Sequence, residues 1–146
     1  DEMRQREGAV IQNELCQRNE RIVELVRQIQ QRSGQLLERY RGRLQERLQA
    51  LGVPIPDERL HAELLVFAEK ANVDEELSRL HSHCLQLYEI VQESGANGKK
   101  LDFLLQEMGR EIHTISAKMP DPTLNPTILS IKDEIDKMRE QIQNVE

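Results

Sequence analysis

The sequence has 146 residues, of which 38 % are hydrophobic and only 3 % aromatic, and it contains no Trp. A core so poor in aromatic side chains must be built from Leu, Ile, Val and Met, which suits helix packed on helix better than a β-sandwich. The formal net charge of −6 argues against nucleic-acid binding by bulk charge alone. No apolar run approaches the roughly 20 residues needed to cross a bilayer, so we expect no membrane span.

The first third of the chain has the pattern of one long helix. Apolar residues over 10–51 recur mostly three, four or seven positions apart, a narrow stripe typical of a coiled-coil seam. Gly34 and Gly42 each cost about 1 kcal/mol of helix stability, so a kink or break is expected at one of them. Gly52 and the prolines after it end the helix. We therefore predict a helical arm over residues 1–52, whose exposed apolar stripe indicates a homo-oligomer.

Four shorter helices are predicted in residues 53–146, which we interpret as a C-terminal helical domain. The second helix starts near Asp57, and the third follows a turn at Asn72, a residue type that caps helix starts. The fourth helix lies between the turn at residues 95–98, expected to close the third helix, and the proline-rich segment 119–122. No segment has the alternating pattern of a strand. The sequence therefore predicts an all-α protein: a long arm followed by a compact bundle of about four helices.

Three features bear on the cellular compartment. Cys16 and Cys84 lie far apart and without a CxxC pattern, so two reduced thiols are expected, with a disulfide as the alternative. No apolar leader stands at the start, and we expect a cytoplasmic protein. The chain opens at Asp1 inside a helical pattern, which indicates a piece of a longer protein.

The charge is unevenly distributed. From Arg27 to Arg47 there are six Arg and two Glu, a local excess of +4, whereas Asp57 to Glu76 contains seven acids and two bases. A basic arm could contact a phosphate backbone and an acidic segment could bind metal ions. The alternative is that both are ordinary solvated helix faces.

The fourth helix has the pattern with the clearest chemical meaning. Glu107 and Glu111 lie one helical turn apart, on a stripe that continues to Thr114 and Lys118 and is flanked by Arg110. Two carboxylates at this spacing can share Mg²⁺ or Mn²⁺, and basic neighbours can hold a phosphodiester, as metal-assisted hydrolysis requires. The alternative is a solvated face with Glu–Lys and Glu–Arg pairs.

A second polar face lies on the third helix. Glu76, Arg79 and His83 fall at positions i, i+3 and i+7, on one side of a helix. His83 or Glu76 could therefore contribute a ligand or a base to a shared site. A surface histidine beside an acid is the alternative.

Four segments together resemble the YicC/YloC family of bacterial endoribonucleases. Residues 98–111 (GKKLDFLLQEMGRE) are similar to the family pattern G-[RK]-[KR]-LDF-x-x-QE-[ML]-x-RE, and residues 138–146 (MREQIQNVE) are similar to its closing REQ-[VI]-QN-[IV]-E. The EE-[LI]-x-RL-x-SH pattern resembles residues 75–83, and REG resembles residues 6–8. His113 departs from the usual Asn of the family, and the segment 119–123 is richer in proline.

The resemblance implies a cytoplasmic endoribonuclease that depends on a divalent metal cation, Mn²⁺ or Mg²⁺, and works as a ring-like homo-oligomer. RNA is the implied partner, together with other proteins of RNA decay, and the family's N-terminal domain is expected before Asp1. The polar positions that match the family are Glu76, Arg79, His83, Lys100, Asp102, Gln106, Glu107, Arg110, Glu111 and Lys118.

We therefore predict a site for RNA phosphodiester cleavage. The catalytic residues are predicted to be Glu107, Glu111 and His83, and the metal ligands Glu76, Glu107 and Glu111. RNA phosphates are predicted to bind Arg79, Lys100, Arg110 and Lys118. The competing hypothesis is a non-catalytic module for oligomerisation and RNA binding, whose activity needs the N-terminal domain.

Overall fold

The computed structural model describes residues 2–93 and 97–145. These residues form α-helices and one short 3-10 helix, and no strand is present among them. The elements in chain order are α1 (Glu2–Leu51), α2 (Asp57–Lys70), α3 (Asp74–Gln92), α4 (Gly98–Lys118), a short 3-10 helix (Pro122–Leu124) and α5 (Asn125–Val145). The predicted all-α class and the long first helix are confirmed. No helix in the described residues is both long and apolar enough to cross a membrane.

Helix α1 is continuous through both of its internal glycines. The expected break at Gly34 or Gly42 is absent, because apolar residues on either side, such as Ile29 and Leu36, are buried against the rest of the molecule. Burial of each such side chain contributes about 1.5–3 kcal/mol, more than one glycine costs. The helix ends at Gly52, whose φ of 65° is a left-handed conformation that favours glycine.

Asparagine side chains accept hydrogen bonds from backbone amides at the starts of α3 and α4. The Asn72 side chain accepts a hydrogen bond from the Asp74 amide at 2.9 Å, so α3 starts two residues after Asn72. The Asn97 side chain accepts from the Lys100 amide at 3.3 Å and caps α4. The prediction that Asn97 closes α3 is therefore wrong, because Asn97 caps the start of α4 and α3 ends at Gln92. Residues 94–96 of the predicted turn lie outside the described residues.

A single core joins α1 to the last three long helices. From α1 the core takes Leu15, Ile22, Val26, Ile29 and Leu36, which lie in one cluster with apolar residues of α3, α4 and α5, and α1 itself packs against α3 and α5. The division of the chain at residue 52 stays a prediction. Residues 15–36 of α1, however, are part of the bundle, because their apolar stripe is covered by helices of the same chain.

Beyond Leu36, α1 packs against α2 as a helical hairpin, residues 37–70, which we call the distal hairpin. The rings of Tyr40 and Phe67 stack across it with centroids 3.8 Å apart and planes 1° from parallel. Helix α2 buries only Leu64 among its residues. Large apolar side chains are exposed near the tip and on the outer side of α2: Leu51, Val53, Ile55, Leu65 and Val66.

The two cysteines are free, which agrees with the prediction of unpaired thiols. Cys84 is buried in the core, and Cys16 is partly exposed. The Gln92 amide donates to Cys16 Sγ at 3.4 Å.

Candidate functional site

Helices α3 and α4 run antiparallel and bring the two predicted polar faces together. Lys118 near the end of α4 contacts Glu76 near the start of α3, and Arg79 contacts Glu111 one turn further along. His83 lies one turn after Arg79 on α3, and Glu107 lies one turn before Glu111 on α4. We call this surface the α3–α4 face and define it by Glu76, Arg79, His83, Glu107, Arg110, Glu111 and Lys118.

Arg79 is the centre of the ion pairs on the α3–α4 face. Its Nε donates to Glu111 Oε1 at 2.9 Å, and its two Nη atoms lie 3.9 Å from Glu76 Oε1 and 3.6 Å from Glu75 Oε2. The hydrogen bond to Glu111 is the main cause that raises the pKa of Arg79. This residue was predicted to bind RNA phosphate, and in the structure its guanidinium is engaged by three carboxylates.

Glu76 is a buried carboxylate with one paired and one unpaired oxygen. Lys118 Nζ donates to Glu76 Oε1 at 2.6 Å, and this bond lowers the pKa of Glu76 although burial opposes the shift. Glu76 Oε2 is buried and has no hydrogen-bond partner in the described part of the chain. Buried polar atoms are nearly always paired in native proteins, so an unpaired one indicates a binding position or a water.

Glu107 and Glu111 project from successive turns of α4. Glu111 is buried, and the side chain of Glu107 is about one-quarter exposed. Arg110 Nη1 lies 3.3 Å from Glu107 Oε1, and Arg79 occupies Glu111 Oε1. Each of these ion pairs occupies one carboxylate oxygen, so the face presents two acids with a basic group beside each.

The remaining predicted residues lie nearby but outside these contacts. His83 is half-buried, and its Nδ1 is buried without a hydrogen-bond partner among the described residues. Lys100 is exposed in the first turn of α4, seven positions before Glu107 and so on the same stripe. The Thr114 hydroxyl donates to the Arg110 carbonyl at 3.1 Å.

The donors of the face fit an open divalent-cation site better than a closed one. Among the described residues, no three His, Cys, Asp or Glu side chains converge as a metal-binding group. Mg²⁺ is commonly held by one or two carboxylates, with water and substrate phosphate completing its shell. Glu107 and Glu111 can supply two such oxygen ligands, and the unpaired oxygen of Glu76 is a third acceptor on the same face.

Two other buried acids were not anticipated from the sequence. Glu134 on α5 lies 3.0 Å from Arg18 and 3.6 Å from Arg21 of α1. Asp121, just after α4, lies 2.6 Å from Arg32 and 3.6 Å from Arg39. These two arginines of the basic stretch 27–47 are therefore already paired with an acid of the same chain. The pattern Asp-Pro-Thr at 121–123 is a signal of the local cap that Asp121 forms.

Comparison with known proteins decides the family. The family model described as "Endoribonuclease YicC-like, C-terminal" matches residues 29–146, which contain the whole α3–α4 face. The chain belongs to this family. The YicC/YloC resemblance of the four segments is thereby confirmed.

Two curated YicC relatives match nearly the whole chain. The protein named "Probable endoribonuclease YicC" from Clostridioides difficile is 35 % identical over 148 aligned positions, and the one of the same name from Haemophilus influenzae is 33 % identical over 144. Each alignment covers 99 % of this chain and 50 % of the relative. The chain thus spans about half the length of the curated relatives it matches.

Proposed function

We propose that this chain is the helical part of a cytoplasmic endoribonuclease, and that its α3–α4 face cleaves RNA phosphodiester bonds with Mn²⁺ or Mg²⁺. The observation that carries the proposal is the buried, unpaired oxygen of Glu76 on a face with two further carboxylates. Membership of the YicC-like family and the names of the two relatives support the choice of RNA as substrate.

The carboxylates on α4 are the proposed metal ligands. Glu107 and Glu111 would hold the cation, and Glu76, which does not converge with them among the described residues, would be a third ligand through water. A bound divalent cation supplies activation of a water molecule and neutralises charge on the phosphate. The cation would also replace the basic groups that pair with these carboxylates in the structure.

The basic residues would then bind phosphate. Arg79 and Lys118 donate to Glu111 and Glu76 in the structure, and both side chains are at least 40 % exposed, so they can turn towards a ligand. A guanidinium binds phosphate oxygens with two parallel hydrogen bonds. Arg110 and Lys100, exposed on the same stripe, would contact the neighbouring phosphates.

His83 is the proposed proton-transfer group. It lies one turn after Arg79 on α3, and its buried Nδ1 is unpaired among the described residues. Imidazole is the side chain that most often transfers protons in enzymes. In this position it could take a proton from the attacking oxygen or give one to the leaving oxygen.

A second candidate function is a non-catalytic helical module for oligomerisation and RNA binding. The distal hairpin favours it, because its exposed apolar side chains suit a contact with another copy, as in the proposed ring-like homo-oligomer. The chain spans only half of its relatives, so catalysis could need residues from their other half.

RNA cleavage by the purified chain tests the proposal. Single-stranded RNA would be incubated with the chain in Mn²⁺ or Mg²⁺, and in parallel with EDTA. We expect cleavage that requires the cation and is abolished in a Glu107→Gln, Glu111→Gln variant. The matched control is Glu20→Gln, Glu24→Gln, which removes two exposed carboxylates at the same spacing on α1 and should retain activity.

Two other outcomes have defined meanings. If a folded sample binds RNA with strong salt dependence but never cleaves it, the non-catalytic module is supported. If the wild-type chain neither cleaves nor binds RNA under any of these conditions, both candidate functions are wrong.

A further inference from the structure

A pocket in the distal hairpin lies apart from the α3–α4 face. It has a volume of about 240 Å³ and is lined by Tyr40, Arg43, Leu44, Arg47, Phe67 and Pro120. We propose that this pocket, called here the Tyr40–Phe67 pocket, binds one nucleotide of single-stranded RNA, with the base against the aromatic rings and the phosphate on the arginines. The inference rests on the proposed function, since it takes RNA as the ligand.

The helical spacing of the pocket explains how its parts meet. Tyr40, Arg43, Leu44 and Arg47 occupy positions i, i+3, i+4 and i+7 of α1, so they share one side of the helix. Phe67 of α2 stacks on Tyr40 and fixes one wall. The aromatic wall and the two guanidiniums therefore face the same space.

The loop after α4 supplies the other wall. Asp121 binds Arg32 at 2.6 Å and lies 3.6 Å from Arg39, and these contacts hold the preceding Pro120 against α1. Pro120 lies two residues after Lys118 of the α3–α4 face. One wall of the pocket thus directly follows, along the chain, the helix that carries Glu107 and Glu111.

The charges in the pocket favour an anionic ligand. Arg43 and Arg47 are exposed and form no ion pair with any residue that the structure describes, and none of the lining residues is acidic. Arg32 and Arg39, by contrast, are neutralised by Asp121. Two free guanidiniums one turn apart can hold a phosphate group.

The size and lining of the pocket favour a nucleotide over a larger apolar ligand. Its volume lies below the roughly 300–1,000 Å³ of pockets that enclose a drug-sized molecule. Aromatic side chains beside arginines are the usual means of binding single-stranded nucleic acid, because every base has a face that stacks. Tyr40 and Phe67 are half-buried, and they are two of only four aromatic residues in the chain.

The first test measures binding of a short single-stranded RNA to the 146-residue chain at several salt concentrations. In an Arg43→Gln, Arg47→Gln variant we expect the slope of log affinity against log salt to fall by about 0.7, because the two arginines hold one phosphate and each single-strand phosphate contact contributes about 0.7. The matched control, Arg59→Gln with Lys137→Gln, removes the same charge from exposed positions and should leave the slope unchanged.

The second test observes the base directly. The chain has no Trp and two Tyr, so in a Tyr88→Phe variant the tyrosine fluorescence comes from Tyr40 alone. Added RNA should quench Tyr40 in that variant beyond the absorption correction, and should not quench Tyr88 in the matched Tyr40→Phe variant. A Phe67→Leu variant, which keeps the site apolar, should bind RNA about tenfold more weakly through loss of the stack.

The outcomes separate this inference from the proposed function. If the wild-type chain binds RNA and an α3–α4 variant weakens binding, but the arginine variant keeps its slope and Tyr40 is not quenched, the pocket is not a nucleotide site and the proposed function stands. If the arginine variant changes only the sedimentation of the chain, the pocket is an interface between copies. If the wild-type chain binds no RNA, both proposals are wrong.

Discussion

The buried carboxylates of Asp121 and Glu76 differ in how completely they are satisfied. Asp121 Oδ1 accepts from the Thr123 amide at 3.1 Å and from its hydroxyl at 2.6 Å. Its other oxygen accepts from Arg32 at 2.6 Å and lies 3.6 Å from Arg39. Both oxygens of Asp121 thus have partners within the protein, and its role is to tie the loop after α4 to α1.

Of the two oxygens of Glu76, only Oε1 contacts basic side chains. Lys118 and Arg79 share Oε1, and Oε2 is buried without a partner in the described residues. Its basic partners are 40 % and 48 % exposed, against 32 % and 35 % for those of Asp121. A carboxylate with both oxygens paired stabilises a fold, whereas one with an unpaired oxygen and more exposed partners is suited to binding a ligand.

Both groups remain charged near neutral pH. Burial raises the pKa of Asp121, but hydrogen bonds from Arg32 and Thr123 together outweigh it and leave the pKa below its usual 3.8. For Glu76 the hydrogen bond from Lys118 is the largest cause, and the pKa lies below its usual 4.5. The contrast therefore lies in the partners of the two acids and not in their ionisation.

The largest expected effect is on catalysis. Glu76→Gln should reduce metal-dependent RNA cleavage about a hundredfold or more, because a proposed ligand or base is removed. It should change the free energy of unfolding by less than about 1 kcal/mol, since the amide can still accept from Lys118, which is partly exposed. The measurements are initial cleavage rates and urea unfolding. Unchanged cleavage with a large loss of stability would make Glu76 a structural residue like Asp121.

The opposite pattern is expected for Asp121→Asn. Loss of one partner of a buried charged pair typically costs 3–5 kcal/mol, and we expect about 2 kcal/mol here because Arg32 and Arg39 are about one-third exposed. Urea unfolding measures this loss, and cleavage at a temperature where the variant is folded should be near that of the wild type. The matched control, Asp133→Asn, breaks an exposed pair with Lys137 and should cost less than about 0.5 kcal/mol.

Acid should weaken the fold through these same carboxylates. Since the folded-state pKa values of Asp121 and Glu76 are lowered, their contribution is fully present above the usual values of 3.8 and 4.5, and it decreases as pH falls through the folded-state values. The free energy of unfolding should thus fall between about pH 5 and pH 3. The Asp121→Asn variant should show a shallower fall over that window. An equally steep fall in both proteins would mean that Asp121 does not drive the acid response.

The smallest effect concerns the enclosed and the accessible thiol. Burial raises the pKa of Cys84 to about 12, so it carries almost no reactive thiolate at pH 8, whereas Cys16 is partly exposed. Iodoacetamide should therefore add one group to the folded chain, at Cys16, and two groups after unfolding in urea. Mass spectrometry distinguishes the adducts. Rapid modification of Cys84 in the folded chain would show that the core opens near α3.

The helices could be predicted from sequence because their signals are local. Apolar residues three and four apart define α4 and α5, and the prolines near residue 54 mark the end of α1. The helix is not broken at Gly34 or Gly42, because the cost of a glycine is small beside burial of Ile29 and Leu36, and the alternative of a kink there stays a prediction. The low helix propensity of glycine is thus outweighed by tertiary packing, which cannot be read from the local sequence.

The site was predictable only in part. Spacing along each helix placed Glu76 with Arg79 and Glu107 with Glu111 on their faces. The contacts between the faces depend on how α3 and α4 pack, and no local pattern encodes the bond between Arg79 and Glu111. The same holds for Asp121 and Arg32, which are 89 positions apart. Assignment of the basic stretch to RNA therefore missed that two of its arginines stabilise the fold.

One paired measurement tests the central contrast most directly: RNA cleavage in Mn²⁺ and thermal unfolding, each recorded for the wild type, for Glu107→Gln, Glu111→Gln and for Asp121→Asn. The account predicts that the first variant loses cleavage and keeps most of its thermal stability, while Asp121→Asn unfolds at a lower temperature and still cleaves. Cleavage retained by the first variant, in a sample whose wild type is active, would contradict the assignment of the α3–α4 face as the catalytic site.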